Sequence, residues 1–286
     1  TQRLDAGREV LSPPEEVSFS ELVRRSLDSL TEPAIPGIQE KLSPSMISLP
    51  FATRGRRFIL KLNPPDQELL VENEHFFMQA AKGCGLEVAR THLVHDRDGE
   101  AGLLVERFDR RRAGRKWRGV RQEDACQFLD RYPADKYRLH TSDVAQGIAR
   151  WCDAPAAEVA RLVELVAFSY LVGNGDLHAK NVSIGVNRGL LQLCPAYDLP
   201  STRPYKDLKL ALKLEGRDDN VKRRDLIAFG GRFGVSPQAV ENRLDRIIAA
   251  LGPFILRVAE IGFDARATRQ LEELMKKRSA DLASER

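Results

Sequence analysis

The stretch Gly173-Asn174-Gly175-Asp176-Leu177-His178-Ala179-Lys180-Asn181 is the part of the chain around which the other elements can be ordered. Residues 157–172, which precede it, are apolar on most faces and predict a central, fully buried helix. Two short apolar runs follow the stretch and are joined by Asn187-Arg188-Gly189, a combination that predicts a two-stranded hairpin. Asp198 comes shortly after this hairpin. The sequence therefore predicts a polar loop between a buried helix and a hairpin, with a second aspartate beyond.

Three side chains of this region are of the types that phosphoryl transfer from ATP requires. One carboxylate must orient and deprotonate a hydroxyl, while an amide and another carboxylate hold magnesium. Asp176 can supply the base, and Asn181 and Asp198 the metal ligands. Asp176 taken singly is also typical of an ordinary turn, but the coincidence of all these features favours a kinase active site. Lys180 either neutralises charge that develops on the phosphoryl group or is simply exposed, and we favour the first.

Composition limits the class of protein. The chain has 286 residues, of which 42% are hydrophobic and 30% charged, enough for one large domain or two lobes. The net charge of +4 permits weak attraction to acidic partners but does not require nucleic acid. No apolar run approaches the ~20 residues of a membrane span, and residues 1–10 do not resemble a signal peptide, so we expect a cytoplasmic protein. The scattered cysteines predict buried, reduced thiols rather than a zinc site.

A lysine and a glutamate upstream form a second candidate pair. Residues 58–62 predict a strand in which Lys61 lies on the face opposite Phe58. This lysine either reaches solvent at a sheet edge or meets an anion, because a lone buried charge is costly. The next helix, which Asp66 is expected to cap, carries Glu74 on its apolar stripe, where a carboxylate needs a partner. Kinases pair a strand lysine with a helix glutamate in this way, so we predict an ion pair between the two.

The remaining segments give weaker signals. Gly37 precedes a polar run whose backbone N–H groups could approach phosphates, although a lone glycine is more often an ordinary turn. The apolar run that ends at Glu106 marks the candidate boundary between an N-lobe of residues 1–106 and a C-lobe of residues 107–286. Residues 110–118 are most simply a solvated loop, with a basic patch for a partner as the alternative. The C-terminal part is helical in pattern, with expected breaks at Gly230-Gly231, Gly252-Pro253 and Gly262.

Taken in order, these motifs resemble the HipA family of bacterial serine/threonine kinases, the toxins of toxin–antitoxin modules. The resemblance spans roughly residues 34–212. The motifs that carry it are Gly37-Ile38-Gln39-Glu40-Lys41, Ile59-Leu60-Lys61-Leu62, Asn73-Glu74, Val105-Glu106-Arg107-Phe108-Asp109-Arg110, Gln122-Glu123-Asp124, Asp176-Leu177-His178-Ala179-Lys180-Asn181, Tyr197-Asp198 and Asp207-Leu208-Lys209-Leu210-Ala211.

The resemblance implies an α+β, two-lobed protein-kinase-like fold that uses ATP and Mg²⁺, with a small β-rich N-lobe and a larger, mainly helical C-lobe. It makes Asp176 the catalytic base, assisted by Lys180, and makes Asn181 and Asp198 the metal ligands. In kinase loops a histidine at the place of His178 more often scaffolds the loop than carries a proton. The candidates for ATP binding are Gly37, Gln39 and Lys41 of the phosphate loop, Lys61 with Glu74, the hinge residues Val105, Glu106 and Phe108, and His178.

The resemblance also implies partners. Known family members phosphorylate aminoacyl-tRNA synthetases and arrest growth, and an antitoxin with a DNA-binding domain restrains them and represses the operon. We therefore expect a cognate antitoxin, a protein substrate of this kind, and contact with DNA through the antitoxin.

Two departures from the family pattern affect these expectations. Full-length HipA kinases carry a further N-terminal subdomain, whereas only 33 residues precede Ala34 here. That resembles the shorter HipT-type toxin, for which the missing subdomain is a separate small protein. The family also commonly has an autophosphorylated serine before the glycine, where this chain has Ala34-Ile35-Pro36. Regulation through this loop then requires Ser43 or Ser45 as a substitute, unless the chain is an engineered variant.

Two alternatives to an active kinase follow from the sequence. Residues 233–244 resemble the turn and second helix of a helix-turn-helix, which would make the chain a DNA-binding repressor subunit. Against this, Ser236-Pro237 is also an ordinary helix start, and Glu241 places an acid where DNA phosphates would lie. The other alternative is a pseudokinase that acts only as a binding module, which the missing serine leaves open.

Overall fold

The computed structural model of the protein describes residues 13–28, 47–53, 56–114, 116–207 and 209–284. Within these ranges a small antiparallel sheet with one long helix precedes a larger, mainly helical part. The predicted phosphate loop and the serines near it lie outside the described residues, namely Ala34-Ile35-Pro36, Gly37, Gln39, Lys41, Ser43 and Ser45.

The N-terminal sheet has four antiparallel strands in the order β1-β2-β4-β3. These strands are β1 (Ile47–Thr53), β2 (Arg56–Leu62), β3 (Thr91–His95) and β4 (Ala101–Glu106). Lys61 of β2 lies opposite Ser48 of β1 on one side and Leu103 of β4 on the other. The lysine is therefore in a central strand and not at the sheet edge.

The two faces of this sheet have different neighbours, because successive side chains of a strand point to opposite faces. Phe58, Leu60 and Leu62 are buried on one face, as the strand pattern predicted. They form an apolar cluster with residues of the first helix, α1 (Phe19–Asp28). Lys61 is thereby directed to the opposite face, towards the helix that follows the strand.

That helix, α2 (Leu70–Gly83), begins later than the sequence predicted. Asp66 does not cap it, because residues 64–67 form a turn of their own, with a hydrogen bond from the last backbone N–H to the first carbonyl. The N-cap residue, Leu69, makes no side-chain capping bond, and Asn63 takes over this role from a distance, since its Oδ1 accepts the N–H of Val71 at 2.8 Å. The helix ends at Gly83, with Cys84 as its C-cap.

Residues 110–118, which were interpreted as a solvated loop, form a hairpin. Its strands are β5 (Arg110–Ala113) and β6 (Lys116–Gly119). Strand pairing satisfies the backbone N–H and C=O groups of this polar segment. The apolar alternation from which a strand is usually predicted is missing here, and for this reason the hairpin was not foreseen.

The predicted hairpin after the central loop is confirmed. It belongs to a three-stranded sheet of β7 (Gln122–Asp124), β8 (Ser183–Asn187) and β9 (Leu190–Leu193). Arg188 and Gly189 form its turn, with φ values of 51° and 86°. Two successive left-handed residues are the geometry that matches the right-handed twist of paired strands.

In the described residues the larger part contains six α-helices, and the central one is α5 (Pro155–Val172). The others are α3 (Ala125–Phe128), α4 (Thr141–Trp151), α6 (Arg223–Arg232), α7 (Pro237–Ile255) and α8 (Ala265–Ser284). Helix α5 packs against α4, α6, α7 and α8 and is buried along most of its length, as predicted. It ends at Gly173, whose φ of 72° is the left-handed conformation that glycine adopts without strain.

One of the three expected C-terminal breaks is wrong. Helix α6 ends at Arg232, directly after Gly230-Gly231, as expected, whereas α7 runs through Gly252-Pro253. Proline costs about 3 kcal/mol and glycine about 1 kcal/mol inside a helix. The apolar face of α7 is buried on both sides of the proline, at Leu251 and Ile255, and this packing keeps the helix continuous. The break at Gly262 is confirmed, with a φ of 101°.

One hydrophobic core connects α2 and β4 with the helices of the larger part. The predicted lobe boundary after Glu106 coincides with the end of β4, but it stays a prediction because the core is continuous across it. The cysteines are free thiols, and Cys84, Cys126 and Cys152 are buried as predicted. No helix in the described ranges is long and apolar enough to cross a membrane.

Candidate active site

The loop after α5 is held in place by hydrogen bonds from its backbone N–H groups to side-chain oxygens. The hydroxyl of Thr202 accepts the N–H of Gly175 at 2.7 Å, and the side chain of Asn174 accepts the N–H of Asp176 at 2.8 Å. A Cβ added to Gly175 would lie only 2.7 Å from the carbonyl oxygen of Lys209. The loop therefore needs glycine at this position, because the backbone of a later segment passes directly against it.

The three residues predicted to form the catalytic centre lie together. The Asn181 amide nitrogen donates to Asp198 Oδ2 and to the backbone carbonyl of Asp176, both at 3.1 Å. Asp198 itself has a φ of 62°, a conformation uncommon for a residue other than glycine and one that clusters at functional sites. Residues from the loop and from beyond the hairpin thus share one hydrogen-bonded network.

Lys61 joins this network from the N-terminal sheet. Its Nζ donates to both carboxylate oxygens of Glu74, at 2.8 and 2.7 Å, and this confirms the predicted ion pair. Its third donor bonds Asp198 Oδ1 at 2.9 Å, a contact that the sequence did not predict. One ammonium group therefore connects α2, the central strand β2 and the residue after the hairpin.

Burial and the neighbouring charges shift the pKa values of Lys61 and Asp198 in opposite directions. Burial alone would lower the pKa of Lys61, but the charges of Asp198 and Glu74 outweigh it and raise the pKa above its ordinary value. Burial would raise the pKa of Asp198, yet Lys61 holds it below the usual range. Burial raises the pKa of Glu74 in spite of the lysine, since Asp198 adds a second negative charge nearby. Lys61 and Asp198 are therefore charged at neutral pH.

Asp176 lies at the mouth of the network and is only partly exposed. Its Oδ1 accepts a hydrogen bond from the hydroxyl of Tyr137 at 2.8 Å. Burial, with the nearby charge of Asp198, raises the pKa of Asp176 to about 6. A carboxylate with this pKa is charged at neutral pH and is more basic than an ordinary aspartate, which suits a general base.

His178 packs behind the loop. Its side chain is buried, its Nε2 lies 4.0 Å from Asp176 Oδ1, and its ring meets that of Tyr137 edge to face at 5.1 Å. Burial, and then the charge of Lys136, lower the pKa of His178 to about 4, so the ring is neutral. A neutral, packed ring agrees with the scaffolding role that was expected of a histidine in this loop.

The predicted hinge residues and Lys61 line one cleft. Val105, Glu106, Phe108 and Tyr197 are among the residues around it, and it encloses about 590 Å³ including its open mouth. The rings of Phe108 and Tyr197 lie 5.8 Å apart with a tilt of 38°. The cleft is therefore lined both by aromatic rings and by the lysine.

Tyr197 also supports the loop from below. Its hydroxyl donates to the backbone carbonyl of Lys180 at 2.8 Å and lies 2.7 Å from the hydroxyl of Ser183. The side chain of Lys180 remains half-exposed next to the centre. Its backbone is thus fixed while its ammonium group keeps the freedom that a phosphate contact requires.

Two residues of the site were not singled out from the sequence. Asn73 is fully buried, and its amide makes two hydrogen bonds to the backbone of Ser201, at 2.8 and 3.0 Å. It ties α2 to the segment after Asp198, and its only sequence signal was its place beside Glu74. Tyr137 had no local signal, because it contacts a residue 39 positions away.

The donor set fits magnesium. Asn181 and Asp198 offer an amide oxygen and a carboxylate, the oxygen ligands that Mg²⁺ prefers, and Mg²⁺ commonly takes only one or two carboxylates plus substrate phosphates. Among the described residues there is no cluster of three His, Cys, Asp or Glu side chains that would hold a metal without such a substrate.

Known proteins resemble the chain in sequence. Residues 34–253 match the family model of the HipA-like C-terminal domain. The chain is 31% identical over 243 residues to "Putative kinase Y4mE" of Sinorhizobium fredii, covering 79% of this chain and 57% of that protein. It is 30% identical over 209 residues to the serine/threonine-protein kinase toxin HipA of Shewanella oneidensis, and the match covers 66% of this chain and 48% of that protein. The chain spans about half of the length of these curated relatives.

Two solved structures resemble the chain in fold. HipA of Shewanella oneidensis, in its complex with HipB and operator DNA, has a TM-score of 0.74 at 22% identity and covers 98% of this chain and 74% of its own. The Helicobacter pylori proinflammatory kinase CtkA has a TM-score of 0.59 at 13% identity, and the match covers 82% of this chain and 88% of the CtkA chain. At such identities the likeness concerns the fold alone, and the predicted two-lobed, protein-kinase-like α+β fold is confirmed.

Proposed function

Because the chain belongs to the HipA-like C-terminal domain family, we propose that it is a kinase that transfers the γ-phosphoryl group of ATP to a serine or threonine hydroxyl of a protein. One observation carries the proposal: Asp176, Asn181, Asp198 and Lys61 are joined in a single hydrogen-bonded network beside an open cleft. A base, two magnesium ligands and a phosphate-binding lysine are what phosphoryl transfer requires of a protein.

In this proposal each residue has a defined task. Asp176 accepts the proton of the acceptor hydroxyl, and its pKa of about 6 keeps it charged at neutral pH. Lys61 binds the ATP phosphates, and Glu74 fixes its position. Asn181 and Asp198 hold Mg²⁺, which when bound neutralises charge on the phosphates. Lys180 stabilises the charge that develops on the transferred group.

The cleft supports the remaining assignments. The backbone at Val105 and Glu106 meets the adenine edge, and Phe108 supplies an apolar surface for the ring. His178 remains neutral and keeps the loop in place. The phosphate loop at Gly37, Gln39 and Lys41 covers the phosphates in this proposal, which for these three residues is supported by the sequence motif alone.

The wider role follows from the family. We propose a toxin of a toxin–antitoxin module whose partner is an antitoxin with a DNA-binding domain, since the structurally similar HipA is seen with HipB and operator DNA. A component of translation, such as an aminoacyl-tRNA synthetase, is the proposed substrate. In this arrangement the chain meets DNA through the antitoxin.

Direct DNA binding by the chain has less support. Arg243 lies within the proposed recognition stretch and Arg246 just after it, and both form ion pairs with the buried carboxylate of Glu164. Arginines that are neutralised by a carboxylate of the same molecule contribute little to a phosphate-binding surface. This favours the kinase over the repressor subunit.

The proposal is tested by incubation with γ-labelled ATP, Mg²⁺ and a mixture of aminoacyl-tRNA synthetases. The parent is expected to transfer label, while Asp176→Asn, which cannot accept the proton, loses at least 100-fold in rate, on the scale of about 10²–10⁴ for general base catalysis. Asp66→Asn is the matched control, because Asp66 is an exposed turn residue outside the site. Equal transfer by the parent and Asp176→Asn would contradict the proposal. Binding of ATP without any transfer would favour the pseudokinase.

A further inference from the structure

The hydroxyl of Tyr137 already makes the contact that an acceptor hydroxyl is expected to make. It donates to Asp176 Oδ1 at 2.8 Å. A general base must lie about 2.6–3.2 Å from the hydroxyl that it deprotonates. The carboxylate oxygen of Asp176 is therefore occupied by a hydroxyl from the chain itself, at the distance of a working hydrogen bond.

The segment that carries Tyr137 is fixed to the loop. The backbone carbonyl of Lys136 accepts the N–H of Ala179 at 3.2 Å, and the ring of Tyr137 packs edge to face on His178 at 5.1 Å. The Lys136 ammonium lies 4.7 Å from the centre of the tyrosine ring. These contacts hold the tyrosine over the loop through its ring and backbone, so the hydrogen bond to Asp176 is not the element that places it.

The tyrosine can nevertheless move without unfolding the site. It is 54% exposed, and its hydroxyl contacts the base at the mouth of the network. Burial and the charge of Asp176 raise the pKa of Tyr137 above its usual value, so the hydroxyl keeps its proton and is the donor. The contact is therefore a hydrogen bond between a neutral phenol and a carboxylate at the edge of the solvent, which a competing hydroxyl can replace.

We propose that Tyr137 is a positioning residue that holds the Asp176 carboxylate in its working orientation and releases it when the acceptor hydroxyl binds. The inference rests on the proposed kinase function. It separates two states of the base: in the free protein Oδ1 is bonded to the tyrosine, and in the acceptor complex it is bonded to the substrate.

The two states respond differently to removal of the phenol hydroxyl. Tyr137→Phe keeps the ring on His178 but removes the hydrogen bond that the acceptor has to displace. It therefore favours binding of the acceptor to the free protein. In the acceptor complex the tyrosine bond is already absent, and the substitution has nothing to remove.

The kinetic test compares Tyr137→Phe with the parent at pH 8, with the synthetase mixture as the acceptor. The KM for the acceptor is expected to fall about threefold to tenfold, the scale of one net hydrogen bond, because no hydroxyl has to be displaced. The value of kcat reports the acceptor complex and is expected to equal that of the parent.

Tyr132→Phe is the matched control. Tyr132 lies in the same segment, is 80% exposed and makes no side-chain hydrogen bond to any described residue. It is expected to have the KM and kcat of the parent. A tyrosine with only a packing role would leave the KM of Tyr137→Phe unchanged, and phosphate on Tyr137 itself would make it an acceptor. Either result overturns the inference.

The same measurement separates the two proposals. If the parent transfers phosphate but Tyr137→Phe has the KM of the parent, the inference alone fails. If the parent transfers no phosphate, the proposed function fails and the inference falls with it.

Discussion

Lys61 carries one positive charge between two carboxylates, and it lowers the pKa of Asp198, whereas burial raises the pKa of Glu74 in spite of it. In the parent it lowers the pKa of Asp198, so this pair contributes stability above the unfolded pKa of aspartate and loses it as pH falls through the folded value. The raised pKa of Lys61 means that its own contribution is complete below its unfolded value near 10.5 and is lost only as pH rises above that. The raised pKa of Glu74 acts the other way, because stability is lost as pH rises from its unfolded value of 4.5 to about 7, so the network is most stable at weakly acidic pH.

Lys61→Met is expected to lower the free energy of unfolding by about 3–5 kcal/mol at pH 8, the cost of leaving a buried charge without its partner. The loss should be smaller at pH 5, because Glu74, whose pKa is already raised, then takes up a proton. Urea denaturation of the parent and the variant at pH 5 and at pH 8 measures the loss of unfolding free energy at each pH. Lys82→Met serves as control, since Lys82 is exposed at the end of the same helix as Glu74. An equal loss at pH 5 and pH 8 would refute the argument.

The rate of phosphoryl transfer should depend on pH through Asp176. Its pKa of about 6 predicts that kcat/KM falls about tenfold per unit below pH 6, as the base takes up a proton. Asp198 has a lowered pKa, so it stays charged over the same range and nucleotide binding should persist. Parallel measurement of turnover and of ATP binding from pH 5 to pH 8 separates the two. Loss of binding and of rate at the same pH would assign the effect to Asp198 instead.

The sequence identified the charged centre but not the groups that support it. Asp176, Asn181 and Asp198 could be predicted because their spacing around a buried helix and a hairpin is a pattern along the chain. Lys61 and Glu74 could be paired because each is out of place on an apolar face. The contacts of Tyr137 and Asn73 depend on the folded path of the chain over long distances, which no local pattern encodes.

Helix α7 shows how packing overrides local preference. Gly252-Pro253 was expected to end this helix, yet the helix continues because Leu251 and Ile255 are buried on either side of the proline. The start of α2 also depends on contacts that its local sequence does not predict. Asp66 has the right chemistry for a cap, but the turn at residues 64–67 passes the role to Asn63. Element type was predictable in these cases, while the ends depended on tertiary contacts.

The adjacent glycines of α6 give a matched pair of positions that tests the packing between α6 and α7. A Cβ on Gly230 would lie 2.8 Å from Cγ2 of Val240 in α7, whereas one on Gly231 meets nothing within 4 Å. Gly230→Ala should therefore destabilise the protein by about 1–3 kcal/mol through overpacking. Gly231→Ala should be neutral or stabilise it by up to about 1 kcal/mol through helix propensity. Thermal unfolding of both variants measures the difference, and equal melting temperatures would show that α6 and α7 separate easily.

At the scale of the whole molecule, polar and apolar connections cross the predicted lobe boundary, the apolar one within the larger hydrophobic cluster. Lys61 and Asn73 make polar connections, to Asp198 and to the backbone of Ser201. The apolar connection runs through α2 and α7, where the rings of Phe76 and Phe254 meet edge to face at 6.1 Å. Both connections join the sheet that carries the lysine to the helices that carry the loop, so the geometry of the centre depends on the packing between them.

Phe254→Ala should therefore weaken both parts of the molecule together. Phe254 is partly buried, and we expect a loss of about 2–3 kcal/mol, below the range for a fully buried phenylalanine. Hydrogen exchange at increasing urea reports β2 and α5 separately, and both should lose protection at the same lowered concentration. Leu256→Ala, at a position that is 75% exposed, should leave the midpoint unchanged. Loss of protection in β2 before α5 would mean that the sheet and the helices unfold independently and that the core does not couple them.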